Sequence, residues 1–214
     1  MNLPYPVLAP GLVGATGCPT ILASAFLRLV RSAEVLATVL LSAMAFAFRG
    51  NSRELGPMGY FILVIAQTIV FPIVSGIVEL AVVGGDPIQV FGKWWVFWGV
   101  GTRLLVAGIF QVSGKGPTAA ILGATAPSVQ EQQLARELGT ANVGMGLAGL
   151  LALVPGWALP AGFAGGIFLL IAGLMHVTKK NKNAKETLAT WTDLIVGVAV
   201  IVLAVDTLVR ALAG

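Results

Sequence analysis

Long apolar runs, each about the length a helix needs to cross a hydrocarbon layer, dominate this chain, and Glu79, Arg103, Asp193 and Asp206 interrupt them. A charge inside such a run is costly, so each needs a partner or a purpose. Of the 214 residues 57% are hydrophobic and 10% are charged. Ordinary soluble domains carry roughly 25% charge. The chain therefore reads as all-α, a polytopic membrane helix bundle with the lipid bilayer as its solvent.

The formal charge of +4 does not mark a nucleic-acid binder, because the basic residues form no folded basic face. They sit between the apolar runs, most densely at Lys179, Lys180, Lys182 and Lys185. Such spacing reads as topology, since Lys and Arg accumulate in cytoplasmic loops. Cys18 is the single cysteine, which excludes an internal disulfide and a dithiol redox pair. The N-terminus lacks a basic start followed by a short apolar core, and its first basic residue is Arg28. Together these features fit a multi-pass protein of a bacterial inner (plasma) membrane.

Six membrane helices are expected, over residues 32–48, 59–83, 94–112, 138–154, 160–177 and 188–212, the first extended backward through 21–30. Polar or glycine-proline turns separate them, at 49–57, 84–87, 113–117 and 155–160. The longest connector, 118–136, ends in a polar helix, with Ser128 a candidate N-cap and Glu131 three residues on. With six crossings, the count of Lys and Arg places the loop 179–185 in the cytoplasm and both termini outside. A division at residue 93 is expected, with two helices in 1–93 and four in 94–214.

Threading these helices up and down sorts the polar residues into two layers. Gln111, Glu137, Asn142, His176 and Asp193 fall toward the lysine loop. Glu79, Arg103, Asp206 and Arg210 fall in the opposite half, so Arg103 is expected to pair with Glu79 or Asp206. Arg103, Glu79, Asp206, Glu137, Asn142, Asp193 and Gln111 together form the candidate cluster for a ligand, ion or proton. The structural alternative is that these groups only orient and knit the bundle: Asp206 and Arg210 can pair along one helix face, and Glu137 and Asp193 sit near helix N-termini.

His176 is the only histidine and ends the fifth expected helix beside the lysines, where a solvated interfacial residue is the plain account. Axial ligation of haem or a pigment is the alternative. No protein metal site is expected, because one His and one distant Cys cannot supply zinc's usual ligands. No cofactor is called for. A quinone or pigment stacked on the tryptophans of Lys93-Trp-Trp-Val-Phe-Trp98 is weaker than the reading of those rings as an interfacial belt.

Gly144-Met-Gly-Leu-Ala-Gly149 matches the dinucleotide fingerprint in letters, but it lies within an apolar helix rather than at a strand-to-helix turn. Gly144, Gly146 and Gly149, with Gly162 and Gly166 on the next helix, read instead as packing surfaces along which those two helices touch.

Gly99-Val-Gly101-Thr-Arg-Leu-Leu-Val-Ala-Gly108, then Arg136-Glu-Leu-Gly-Thr-Ala-Asn142 before a glycine-rich helix, a hairpin and a helix closing on His176, carry a resemblance. They resemble small uncharacterised prokaryotic membrane proteins of a domain-of-unknown-function family. The four-helix arrangement over 94–212 is similar to the DoxX-like superfamily. That resemblance implies a four-helix bundle, and partners in quinol oxidation or thiol-redox systems for some members. This chain departs from the redox members in lacking a cysteine pair.

Two functions stay open. One is a non-catalytic subunit or scaffold, working with a protein partner or as a homo-oligomer, in which the buried charges pair internally. The other is a small transporter or channel-like protein with a polar cavity at membrane depth. An enzyme is not expected, because no nucleophile–base constellation or metal cluster is visible.

Overall fold

A computed structural model describes residues 57–114 and 128–214, and every regular element among them is helical. Helix α1 covers 57–82 in three continuous pieces: Pro57–Ile65, a wide π-helical stretch Ala66–Val70, and Phe71–Val82. Helix α2, Pro87–Val112, has the same plan, with its π-helical stretch at Val96–Thr102. Helix α3 is Val129–Leu150 and closes in a tight turn, Leu151–Leu153. Helices α4 and α5 are Ala158–Thr178 and Ala184–Ala213. The expected helix 32–48 and Cys18 lie outside the described residues.

Local chemistry sets the helix starts. Asp86 caps α2, its carboxylate accepting from the backbone N–H groups of Ile88 and Gln89 at 3.0 and 3.2 Å, with Pro87 as the first helical residue. Ser128 and Glu131 form the capping box legible in the sequence. The Ser128 N–H donates to Glu131 Oε2 at 2.6 Å, and the Glu131 N–H donates to Ser128 Oγ at 3.2 Å. The Ser128 N–H, and after it the Ser128 hydroxyl, hold the Glu131 carboxyl below its usual pKa by favouring the carboxylate. Asn183 caps α5 through the Glu186 N–H. Between α1 and α2 the chain reverses through Gly84 and Gly85, whose φ values of 79° and 121° exclude most side chains.

Among the described residues, four helices are long and apolar enough to cross a membrane: Met58–Val82, Pro87–Val112, Ala158–Thr178 and Ala184–Ala213. The expected fourth crossing, 138–154, falls inside α3. That helix is long enough, but its glutamine- and glutamate-rich first half leaves it too polar to qualify. Four such helices, rather than six, are what the described residues contain.

The described helices belong to one compact unit, Arg53–Gly214, so α1 shares a core with the helices beyond residue 93. Helix α2 runs through the middle, with Val96 and Val100 fully buried and Leu104 nearly so. Its outer neighbours turn apolar side chains outward: Ile62, Val74, Ile77 and Val78 on α1, and Val198, Val205 and Val209 on α5. So broad an apolar surface would drive aggregation in water and is compatible with lipid.

Glycines set the closest approaches, and most of those on α3 and α4 face α2 or α5. A Cβ on Gly149 would lie 2.6 Å from the Gly101 Cα of α2, and one on Gly108 would lie 2.6 Å from the Gly139 carbonyl oxygen of α3. Gly146 faces the Leu105 backbone, Gly162 faces Val96, and Gly166 faces Val200 of α5. The expected glycine seam between the helices that carry these residues, α3 and α4, is therefore not formed. Gly144 meets nothing within 4 Å. A short hairpin fixes which helices are consecutive, but not the rotation of each about its own axis.

A candidate intramembrane polar site

One buried polar cluster lies where α1, α2 and α5 meet. Arg103 of α2 donates through Nη2 to the Asp193 carboxylate and, at 3.0 Å, to the Thr192 hydroxyl. The side chains of Arg103 and Asp193 are 11% and 8% exposed, so the pair sits inside protein. Tyr60 of α1 lies close enough to feel both charges. One residue before Arg103, the Thr102 hydroxyl accepts from Gln67 Nε2 of α1 at 3.2 Å and donates to the Trp98 carbonyl at 2.8 Å.

Arg103 thus pairs with neither Glu79 nor Asp206, the partners expected from the sequence. That expectation starts the helix at residue 94, whereas the Asp86 cap and Pro87 start α2 about two turns earlier. The longer helix shifts Arg103 past its own midpoint toward the lysine loop, which is the level of Asp193 on the 30-residue α5. Glu79 and Asp206 are left to other partners, so the two expected layers join at Arg103.

Glu79, near the end of α1, accepts from Lys93 Nζ at 2.5 Å and from the Trp94 indole at 2.6 Å. The other two tryptophans of that run also donate to α1. Trp95 reaches the Thr68 carbonyl at 2.9 Å, and Trp98 reaches Ser75 Oγ at 3.0 Å. Trp94 and Trp98 are only 6% and 2% exposed, so these two are core residues rather than an interfacial belt. A helix start at residue 94, as the sequence leads one to expect, puts these rings at a helix end rather than in the core. The Asp-Pro pair at 86–87 was the signal that could have moved it.

The remaining candidates lie apart from this seam. Asp206 accepts from Gln89 at 2.6 Å and from Arg210 at 2.7 Å, while Arg210 also reaches Asp86 at 2.6 Å, binding the end of α5 to the start of α2. Asn142 of α3 donates to Gln111 Oε1 of α2 at 2.8 Å. Glu137 is exposed and accepts from Gln133 of its own helix. His176 Nδ1 lies 3.2 Å from Glu186, a buried carboxylate that the sequence reading missed and that Lys179 also holds, at 2.8 Å. The candidate cluster is thus divided among several places in the bundle, with Arg103 and Asp193 in direct contact.

Among the described residues no group of three or more His, Cys, Asp or Glu side chains could hold a metal ion. Among the described residues three buried polar atoms have no hydrogen-bond partner: Arg103 Nη1, Thr68 Oγ1 and Asn142 Oδ1.

These helices and the seam between them coincide with a known sequence family. A family model described as a family of unknown function (DUF6790) matches residues 58–210, from the first turn of α1 to Arg210. The chain belongs to the DUF6790 family. The DUF6790 match takes in Tyr60, Arg103, Asp193 and the other candidates named above. No curated protein and no solved structure matches the chain.

Proposed function

We propose that this DUF6790 protein is a non-catalytic, multi-pass protein of the inner membrane, a subunit or scaffold that works with a protein partner or with a second copy of itself. One observation carries the reading. Each carboxylate placed along a spanning helix has a basic partner within the same unit: Glu79 with Lys93, Asp193 with Arg103, Glu186 with Lys179, and Asp206 with Arg210. Groups so closed bind helices together and leave little to offer a substrate. In this reading residues 32–48 and the apolar stretch 138–154 add two crossings to the four long apolar helices, the full chain has six, and the lysine loop lies in the cytoplasm. Kinship of the four C-terminal helices with the DoxX-like superfamily belongs to the same proposal.

The test is purification of the full chain in mild detergent, followed by sizing and mass spectrometry. A stoichiometric protein partner or a defined homo-oligomer is the expected result. A monomer carrying a bound small molecule would count against it.

A second reading, a small transporter or channel-like protein, draws on Arg103 Nη1 and Thr68 Oγ1, buried groups on two helices of the central seam with no hydrogen-bond partner among the described residues. An ion or proton flux in proteoliposomes that Arg103→Gln abolishes would favour it.

A further inference from the structure

The α4–α5 turn and the first turn of α5 together hold four lysines, Lys179, Lys180, Lys182 and Lys185, and the same stretch supplies one carboxylate, Glu186, to offset them. Two of the four have internal tasks. Lys179 pairs with Glu186, whose side chain is 1% exposed. Lys182 donates to the His176 and Val177 carbonyls at 2.8 and 3.2 Å, closing the C-terminal end of α4. With Asn181 in the left-handed region at φ 61° and Asn183 capping α5, these contacts give the turn a defined shape.

Lys180 and Lys185 have no carboxylate partner among the described residues. Lys180 is exposed, and Lys185 is half-buried with its ammonium 6.0 Å from the Tyr60 ring centre. The level of the turn is fixed from both sides. Met175 and Val177, on the last turn of α4, are exposed apolar residues, and Trp191, two turns into α5, is 63% exposed. An outward tryptophan at that depth marks the interface between acyl chains and headgroups. The uncompensated lysines therefore stand at the height of the phosphates.

We propose that the α4–α5 turn binds the phosphate of an anionic phospholipid headgroup, with Lys180 and Lys185 as the contacting groups and Lys179 and Lys182 holding the turn in shape. The argument is charge complementarity at a fixed depth. A basic site is left open on a surface that the bilayer itself lines, and juxtamembrane lysines attract anionic lipid strongly enough to select it over zwitterionic lipid. The inference rests on α4 and α5 spanning the bilayer, and not on whether the chain is a scaffold or a transporter.

The experiment uses the full chain in nanodiscs of phosphatidylcholine with a minor fraction of phosphatidylglycerol, reading lipid retention by native mass spectrometry and its dependence on salt. The expected result is preferential retention of phosphatidylglycerol that weakens as salt rises. Lys180→Gln and Lys185→Gln should each lower that preference about fivefold, while Lys180→Arg/Lys185→Arg keeps it. Equal retention of both lipids by the parent would overturn the proposal, as would full preference in the double Gln variant. Displacement of the lipid by inorganic phosphate at matched concentration would also overturn it, showing a site for soluble anions.

Discussion

One nitrogen of Arg103 ties α2 to two successive residues of α5, donating to the Thr192 hydroxyl and to the Asp193 carboxylate. The pair is closed from solvent and made by side chains 90 positions apart in sequence. Removing one partner strands the other charge in a poorly solvating interior. Arg103→Leu should therefore lower unfolding free energy in detergent by about 3 kcal/mol. Arg103→Leu/Asp193→Leu, which strands nothing, should recover much of that loss. Denaturant titration of the two variants checks it, and a single variant as stable as the parent would remove assembly from the tasks of Arg103.

The glycines make opposite predictions at neighbouring positions. Gly149→Ala pushes a methyl group into the Gly101 backbone, which cannot move aside as a side chain can. A destabilisation of about 2 kcal/mol is expected. Gly144→Ala, about four turns into the same helix and facing open space, should be neutral or stabilise by up to about 1 kcal/mol through helix propensity. Thermal unfolding of both variants decides the matter. Equal losses would mean that α3 is rotated from the orientation described.

The tryptophans separate by what surrounds them. A variant retaining Trp191 alone should be quenched by brominated lipid, because that ring is exposed on the outer face of α5. A variant retaining Trp98 alone should resist the quencher, since its ring is buried and its indole donates to Ser75. Strong quenching of Trp98 would show that α1 does not cover α2.

At the start of α3, Glu131 carries a pH signature. Its folded-state pKa lies below the ordinary 4.5, so its contribution to the cap is present above that value and is lost as pH falls through the depressed one. Amide-exchange protection in the first turn of α3, measured against the intrinsic rate at each pH, should fall about fivefold on acidification through that range, and Glu131→Gln should flatten the response. An unchanged first turn in strong acid would show that the box does not hold the helix end.

What could be read from the sequence, and what could not, divides by range. Residues 86–87 and 128–131 act through bonds to their own neighbours, and the Ser128–Glu131 box was legible for that reason. Arg103 visibly needed a carboxylate, but choosing among Glu79, Asp193 and Asp206 required the axial level of each helix. That level differs by about two turns according to whether Asp86-Pro87 is a helix start or only a turn. The partners of Gly146, Gly149, Gly162 and Gly166 depended on how each helix is rolled about its axis. Apolar runs with few polar markers specify that roll weakly. The indole donors were hidden for a related reason: a tryptophan run beside a lysine looks the same in letters whether it faces headgroups or a neighbouring helix.

The wide π-helical stretches of α1 and α2 have a mechanical corollary. A π turn behaves as an α-helix that has accepted one extra residue, so trimming one position from Val96–Thr102 should let the segment relax to ordinary winding. Everything on one side of the cut would then swing by about 100° relative to the other. Trp94, Trp95 and Trp98 could no longer look toward α1 while Arg103 looks toward α5. These stretches thus act as phase adjusters, letting one continuous rod present two differently aimed sets of side chains to two different neighbours.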